Sequence, residues 1–287
     1  MMDPVTSGIR LIASDVDGTL LTPDHRITPA VRAAVRRATD AGVTVVLASA
    51  RGPEAFRHIV AELGLPPFAE SPSDDPLAGA FVSFQGAVVG HFLADGSLDV
   101  LHETRLDLEA AREIVRTVVT AGHVANWYDG AAWLQSRWDE LGELEARATA
   151  VDPAGLIGDA QLVDAGARAP HKLMVPPCAW DPELVPRIAA SLPEGCEGFL
   201  SGEHYLEIVA SGVDKSSGLV QLAADLGVGP EAMAAVGDGP NDLGMFAHVG
   251  TAVAMANASD AVKAAATWVT ASNREDGLAL AIDRLLG

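Results

Sequence analysis

The chain has 287 residues, a length that favours about two domains and leaves ample chain for a sizeable core. Hydrophobic residues make up 49% of it and charged residues 20%, ordinary globular usage that leaves little room for disorder. A formal charge of −20 excludes the basic face that nucleic acids and anionic membranes attract, and it works against long-range steering of a phosphate ester, so such a ligand needs local cations.

Residues 1–8 are polar and lack the apolar centre of a signal peptide, and no segment approaches the roughly 20 apolar residues of a membrane span, so a cytoplasmic protein is expected. Cys178 and Cys196 stand at no metal-ligand spacing and read as reduced thiols. The first element is a short buried strand, Ile9 to Ala13, interrupted only by Arg10. Thr28-Pro29 starts a helix, with Thr as N-cap and Pro in the first turn; Ala30 to Ala41 continues it and Gly42 ends it. Val43 to Ala48 is a second strand, and a second helix runs from about Pro53 to Leu63, which gives the rhythm of a parallel sheet.

Four prolines mark 66–79 as an exposed loop, and Ala80 to Phe84 is a third strand. The texture then changes. Segments 87–93 and 97–102 alternate around the hairpin turn Asp95-Gly96, and a helix over 108–121 follows with Asp107 near its cap. Short strands at 124–128, 132–135 and 172–175 and a helix at 182–191 complete an α+β insertion. The first texture returns near Leu206 to Val209. From Ser216 the order is helix, strand (233–236), loop, helix, strand (250–254), helix, the short strand Trp268-Val269, and a closing helix from about Arg274 to Leu286.

The chemistry gathers at strand ends and helix starts. Ser14-Asp15-Val16-Asp17-Gly18-Thr19-Leu20 follows the first strand, and open α/β sheets build their sites at such carboxyl ends. Strand geometry sends Asp15 and Asp17 to opposite faces, but a turn there lets both address one point. Asp15 can attack phosphorus and form an acyl phosphate, while Asp17 can protonate the leaving oxygen and then deprotonate water. An isolated Asp-x-Asp-Gly-Thr also suits a tight turn. Ser49 offers a hydroxyl to a phosphate oxygen, or simply caps the next helix. Lys215, just before a helix, can neutralise a nucleophile and a phosphoryl group, or stand in solvent. In Gly237-Asp238-Gly239-Pro240-Asn241-Asp242, two acids supply the hard oxygen ligands that Mg²⁺ prefers, and Asn241 adds an amide.

Taken together and in this order, Asp15-Val16-Asp17-Gly18-Thr19-Leu20, Ser49, Lys215 and Gly237 to Asp242 resemble motifs one to four of the haloacid dehalogenase-like superfamily, and more narrowly its Cof-type (subfamily IIB) phosphatases. The resemblance implies a Rossmann-like α/β core domain (1–86 and 199–287) with an inserted α+β, C2B-type cap domain (87–198). It implies Asp15 as nucleophile and Asp17 as general acid/base. Mg²⁺ would be held by the Asp15 carboxylate, the Asp17 backbone carbonyl and Asp238, with Asp242 helping directly or through water. Ser49 and Lys215 would hold phosphoryl oxygens and Asn241 would steady that cluster. The chain departs from the branch at Ser49-Ala50-Arg51, where Thr-Gly-Arg is common, and at Gln85-Gly86-Ala87, where Asn-Gly-Ala is common.

Arg51 then binds an anion or pairs with a core carboxylate, and Gln85 reaches further toward a substrate than Asn would. In the cap, Trp127, Tyr128, Trp133 and Trp138 either stack on a ring or fill the cap core. His171-Lys172 either places a cation over the substrate or forms a solvated strand edge. The expected activity is Mg²⁺-dependent hydrolysis of a small phosphorylated metabolite, a sugar phosphate or related compound, including the mannosyl-3-phosphoglycerate type, by a monomer or homodimer. A phosphomutase-like transferase shares the same parts. An idle phospho-ligand binder of this fold would have no need of a nucleophile.

Overall fold

The apolar run around Ile12 is buried as the central strand of a sheet in the computed structural model, which describes residues 8–67, 77, 79–138, 140–149, 151–164, 166–201 and 205–287. Most of the proline-rich stretch 66–79 lies outside the described residues. The first elements are β1 (Leu11–Asp15), α1 (Pro29–Asp40), β2 (Thr44–Ala48), α2 (Pro53–Leu63), β3 (Phe81–Ser83), β4 (Val88–Phe92) and β5 (Leu98–Glu103). The Thr28 side chain accepts from the Val31 N–H, so the first helix begins where a cap and a proline favour it. The insertion holds α3 (Leu108–Thr120), β6 (Asn126–Asp129), β7 (Ala132–Gln135), α4 (Glu140–Thr149), β8 (Gly155–Leu156), α5 (Asp159–Leu162), β9 (Lys172–Val175), α6 (Leu184–Ala190), β10 (Cys196–Ser201) and β11 (Tyr205–Ala210). The chain closes with α7 (Lys215–Asp225), β12 (Met233–Gly237), α8 (Leu243–Ala247), β13 (Thr251–Ala254), α9 (Asp260–Ala265), β14 (Trp268–Val269) and α10 (Gly277–Leu286).

Two compact units result, one of Met1–Ala50, Phe56–His102 and Asp214–Gly287, the other of Arg51–Ala55 and Glu103–Val213. In the first, eight strands run in the order β14-β13-β12-β1-β2-β3-β4-β5. The pairings from β14 to β3 are parallel, and β4 joins β3 antiparallel. Period-two alternation distributes the strand side chains between two cores. Ile12, Leu47, Phe81 and Val236 meet Val31, Val35, Phe56 and Ile282 from α1, α2 and α10. Leu11, Ala13, Val46 and Ala235 meet Leu219, Leu222, Met245 and Val262 from α7, α8 and α9. A sheet covered on both faces needs strands that are apolar on both sides, which is why these read as continuous apolar runs. The chain leaves β1 toward β2 and later returns to β12 on β1's other side, so the strand order reverses between β1 and β12. The carboxyl ends of those two strands form the crevice where this architecture places ligands.

The second unit is built on a six-stranded sheet, β10-β11-β9-β6-β7-β8. Trp127, Leu173, Val175, Leu206 and Ile208 on one face pack against Ile114, Val115 and Val118 of α3 and Val185 and Ile188 of α6. Two features differ from the sequence reading, which begins the insertion at 87 and returns to the core by 199. The hairpin of β4 and β5 extends the first sheet instead: Val82 pairs with Val89, and Phe92 lies 5.3 Å from Phe81, because a strand apolar on both faces finds more to bury against there. Conversely, β11 pairs antiparallel with β9 and β10, since Leu206 and Ile208 alternate with Glu207 and suit a sheet with helices on one face.

Candidate active site

Asp15 is the last residue of β1, in register with Ala48 of β2, and is only 5% exposed. Beyond it the chain turns, with the Leu20 N–H donating to the Asp15 carbonyl (3.3 Å) and the Leu21 N–H to the Val16 carbonyl (2.9 Å). Gly18 makes this turn at φ +86, and a Cβ there would lie 2.2 Å from Asp238 Oδ2, so only glycine fits. Asp17 emerges on the rim with its side chain 45% exposed and His25 Nδ1 3.8 Å away. The two acids thus divide as strand geometry dictates, one buried and one open to solvent.

Lys215 is the first residue of α7, whose N-terminus is held by a reciprocal cap: the Ser217 N–H donates to Asp214 Oδ1 and the Asp214 N–H to Ser217 Oγ. From there its ammonium, 1% exposed, donates to Asp15 Oδ1 at 2.6 Å and Asp242 Oδ1 at 2.7 Å. Asp242 Oδ2 accepts from the backbone N–H groups of Asp238 (3.0 Å) and Gly239 (2.9 Å), which folds the loop after β12 back upon itself. Asp15, Asp238 and Asp242 each present an oxygen within 4.8 Å of the others. Asp15 Oδ2 is buried with no hydrogen-bond partner.

Burial raises the Asp15 pKa well above the usual carboxylate range, Lys215 works against this, and Asp242 and Asp238 push it further up. Burial and Asp242 likewise raise Asp238. Burial alone would lower the Lys215 pKa, but Asp15 and Asp242 outweigh it and hold the ammonium above its ordinary value. Three carboxylates and one ammonium leave two surplus negative charges when all are ionised. That surplus, together with the unpartnered Asp15 oxygen and an all-oxygen donor set, fits a hard divalent cation.

The remaining sequence-predicted residues divide into two groups. Ser49 is buried just beyond β2; its N–H donates to the Val82 carbonyl and its carbonyl accepts from the Gln85 N–H. Gln85 is buried too, at φ +60, and its Oε1 accepts from Asn241 Nδ2 at 3.2 Å, so the amide engages Asn241. Arg51, half-buried, belongs to the second compact unit. His171 and Lys172 also lie in that unit and contradict the solvated-edge reading, because β9 is an inner strand flanked by β11 and β6. His171 Nε2 meets Glu103 Oε2 at 2.9 Å while Nδ1 accepts from the Gly130 N–H; Lys172 Nζ sits 3.4 Å from Glu207 and 5.0 Å from the centre of the Tyr128 ring. Trp127 is core, and Tyr128 stacks on Trp133 at 5.9 Å.

Sequence reasoning assigned no role to Thr19, whose Oγ1 donates to Asp238 Oδ1 at 3.3 Å, or to Asn257, which contacts both Gly18 and Asp238. The signal that found the other residues, a polar group just past an apolar strand, was present at Met255-Ala256-Asn257.

Known proteins are similar to this one along nearly the whole chain. The profile of the haloacid dehalogenase-like hydrolases matches residues 12–282. The 5-amino-6-(5-phospho-D-ribitylamino)uracil phosphatase YwtE of Bacillus subtilis is 28% identical over 97% of this chain and 98% of its own. A phosphoglycolate phosphatase of Natronomonas pharaonis is 30% identical over 95% and 96% respectively. A haloacid dehalogenase-like hydrolase from Bacteroides thetaiotaomicron superposes with a TM-score of 0.82 at 27% identity, covering 96% of this chain and 99% of its own. By the extent of these matches, the chain belongs to the haloacid dehalogenase-like hydrolase family.

Proposed function

We propose that this enzyme is a Mg²⁺-dependent phosphomonoester hydrolase of small phosphorylated metabolites, with Asp15 as nucleophile. The observation that carries the reading is the buried Lys215 ammonium joining Asp15 to Asp242 beside Asp238, so that a carboxylate at a strand end stands against a fixed cation in a cluster that remains net negative without a metal. Asp15, the Asp17 backbone carbonyl and Asp238 are the groups that would hold Mg²⁺. Asp242 positions Lys215 and the 238–239 backbone through its hydrogen bonds and would help hold Mg²⁺ directly or through water. When bound, Mg²⁺ would neutralise the surplus negative charge and keep Asp15 ionised at neutral pH.

In the first half-reaction the Asp15 carboxylate forms a bond to phosphorus as the bond from phosphorus to the leaving oxygen breaks. The electron pair departs with that oxygen, which takes a proton from Asp17. In the second, Asp17 accepts a proton from water while the water oxygen attacks phosphorus, and the aspartyl–phosphorus bond breaks to return the Asp15 carboxylate and free phosphate. An exposed Asp17 can exchange its proton at either stage. Lys215, Ser49 and Asn241 would stabilise the charge that spreads over the phosphoryl oxygens. Gln85 acts through Asn241 in this reading, and His171 and Lys172, held by Glu103 and Glu207, serve the inserted unit's own structure.

The relatives' names, a phosphoribitylaminouracil phosphatase and a phosphoglycolate phosphatase among them, support a small phosphorylated metabolite as substrate, with sugar phosphates first to test. The test is phosphate release from a panel of such metabolites with Mg²⁺, with and without EDTA. Turnover that EDTA abolishes and Mg²⁺ restores is expected; indifference to chelation overturns the metal assignment, and release from none of the panel overturns the hydrolase reading.

A further inference from the structure

We propose that Asn257 is a positioning residue for the divalent-cation centre, fixing the Asp238 carboxylate relative to the Gly18 backbone; the inference rests on the reading of the carboxylate cluster given above. Asn257 follows β13, on a segment anchored by hydrogen bonds from the Met255 N–H to the Gly237 carbonyl (3.0 Å) and from the Ala256 N–H to the Ala271 carbonyl (3.2 Å). Its side-chain NH₂ donates twice, to the Gly18 carbonyl at 2.9 Å and to Asp238 Oδ2 at 3.1 Å. The orientation of the amide is determined by its other end, where Oδ1 accepts from the Asn273 N–H at 3.0 Å. Exchanging O and N would set an oxygen against two acceptors and a donor against a donor. Asn273, itself buried, donates from Nδ2 to the Leu21 carbonyl at 2.8 Å.

The two asparagines therefore tie four segments together: the turn after β1, the loop after β12, the loop after β13 and the loop before α10. Asp238 is held on both oxygens, by Thr19 on Oδ1 and by Asn257 on Oδ2. A donor held against a ligating carboxylate preserves that ligand's geometry, and losing such a partner typically weakens metal binding about 10- to 100-fold. An exposed asparagine satisfying one loop would need only one of these bonds; Asn257 spends its amide on the nucleophile turn and on the acid opposite.

The test compares full-length wild type with Asn257→Ala and the nearly isosteric Asn257→Leu by Mn²⁺ binding, read from the free-ion EPR signal, and by thermal unfolding in EDTA. Both variants are expected to raise the Mn²⁺ dissociation constant about 10-fold or more. The Mg²⁺ half-saturation of aryl phosphate hydrolysis should rise by a similar factor, without a matching rise in KM at saturating Mg²⁺. Wild-type Mn²⁺ affinity in either folded variant overturns the inference, as does a fall in the EDTA melting temperature with unchanged affinity, which marks a structural tie alone. A wild-type protein that binds no Mn²⁺ overturns the metal reading and this inference with it.

Discussion

Gly18→Ala separates backbone strain from displacement of a site residue, because Gly42 provides a control elsewhere in the same unit. Gly18 stands at φ +86 and Gly42 at φ +78, so alanine at either is strained, by about 1 kcal/mol. Around Gly42 nothing lies within 4 Å of the new Cβ, whereas at Gly18 it falls 2.2 Å from Asp238 Oδ2 and 2.7 Å from Cγ. Ordinary contact begins at 3.4 Å, so the Asp238 carboxylate or the turn must retreat, against the hydrogen bonds from Thr19 and Asn257. A misplacement on the order of 1 Å costs about 100-fold in rate, or roughly 2.7 kcal/mol of transition-state stabilisation. Gly42→Ala should lose about 1 kcal/mol of stability and keep full activity. Gly18→Ala should lose about 100-fold in kcat/KM for an aryl phosphate, with a raised Mg²⁺ half-saturation. Aryl phosphate hydrolysis across a Mg²⁺ titration, paired with thermal melts in EDTA, reads both terms. Equal activity in the two variants would refute the reasoning, because strain alone would then explain everything.

Asp15→Asn should reduce turnover by at least about 1,000-fold while the far-UV spectrum is unchanged, since the amide retains the shape but not the nucleophile; retained turnover would remove Asp15 from the chemistry. Lys172→Met leaves the buried Glu207 without its ammonium and should cost about 3–5 kcal/mol in denaturant unfolding of the second unit, much of it recovered by pairing the change with Glu207→Leu. If Lys172→Met proves neutral, the pair contributes nothing. His171 is neutral in the fold: the Gly130 N–H occupies Nδ1, and burial lowers the ring's pKa against the pull of Glu103. A group whose folded pKa lies below its unfolded value contributes stability above the unfolded pKa, lost as pH falls through the folded one. Acidification below about pH 6.5 should therefore destabilise the second unit, and His171→Gln should flatten that dependence; the same acid slope in the variant would shift the cause to another group.

How much of this was legible beforehand follows from which forces are local. Thr28 and Asp107 act within a few residues of themselves, so the starts of α1 and α3 could be read from caps alone. The placement of acids just past apolar strands was legible for the same reason, since a strand end and its turn are neighbours in sequence. The inner aspects were not. Segments 88–92 and 205–210 are both short apolar runs, and period alone does not say which sheet will accept them; β4 joined the first because Val89 and Phe92 found Val82 and Phe81 there, and β11 joined the second.

The sequence by itself thus determined most elements of the parallel-sheet core, the caps at Thr28 and Asp107, and the identity of Asp15, Asp17, Lys215 and Asp238 as residues worth attention, while α4, α5, β8 and β10 of the second unit were not read from it. Tertiary structure alone decided that β12 lies beside β1, which brings Lys215 to Asp15 across 200 residues and Thr19 to Asp238 across 219. It also decided that Gln85 faces Asn241, that His171 and Lys172 are buried beside carboxylates, and that Asn257 reaches both Gly18 and Asp238. The physical reason is one of range. Hydrogen-bonded turns and hydrophobic periodicity act over a handful of positions, whereas strand order and buried ion pairs depend on which distant surfaces exclude water together.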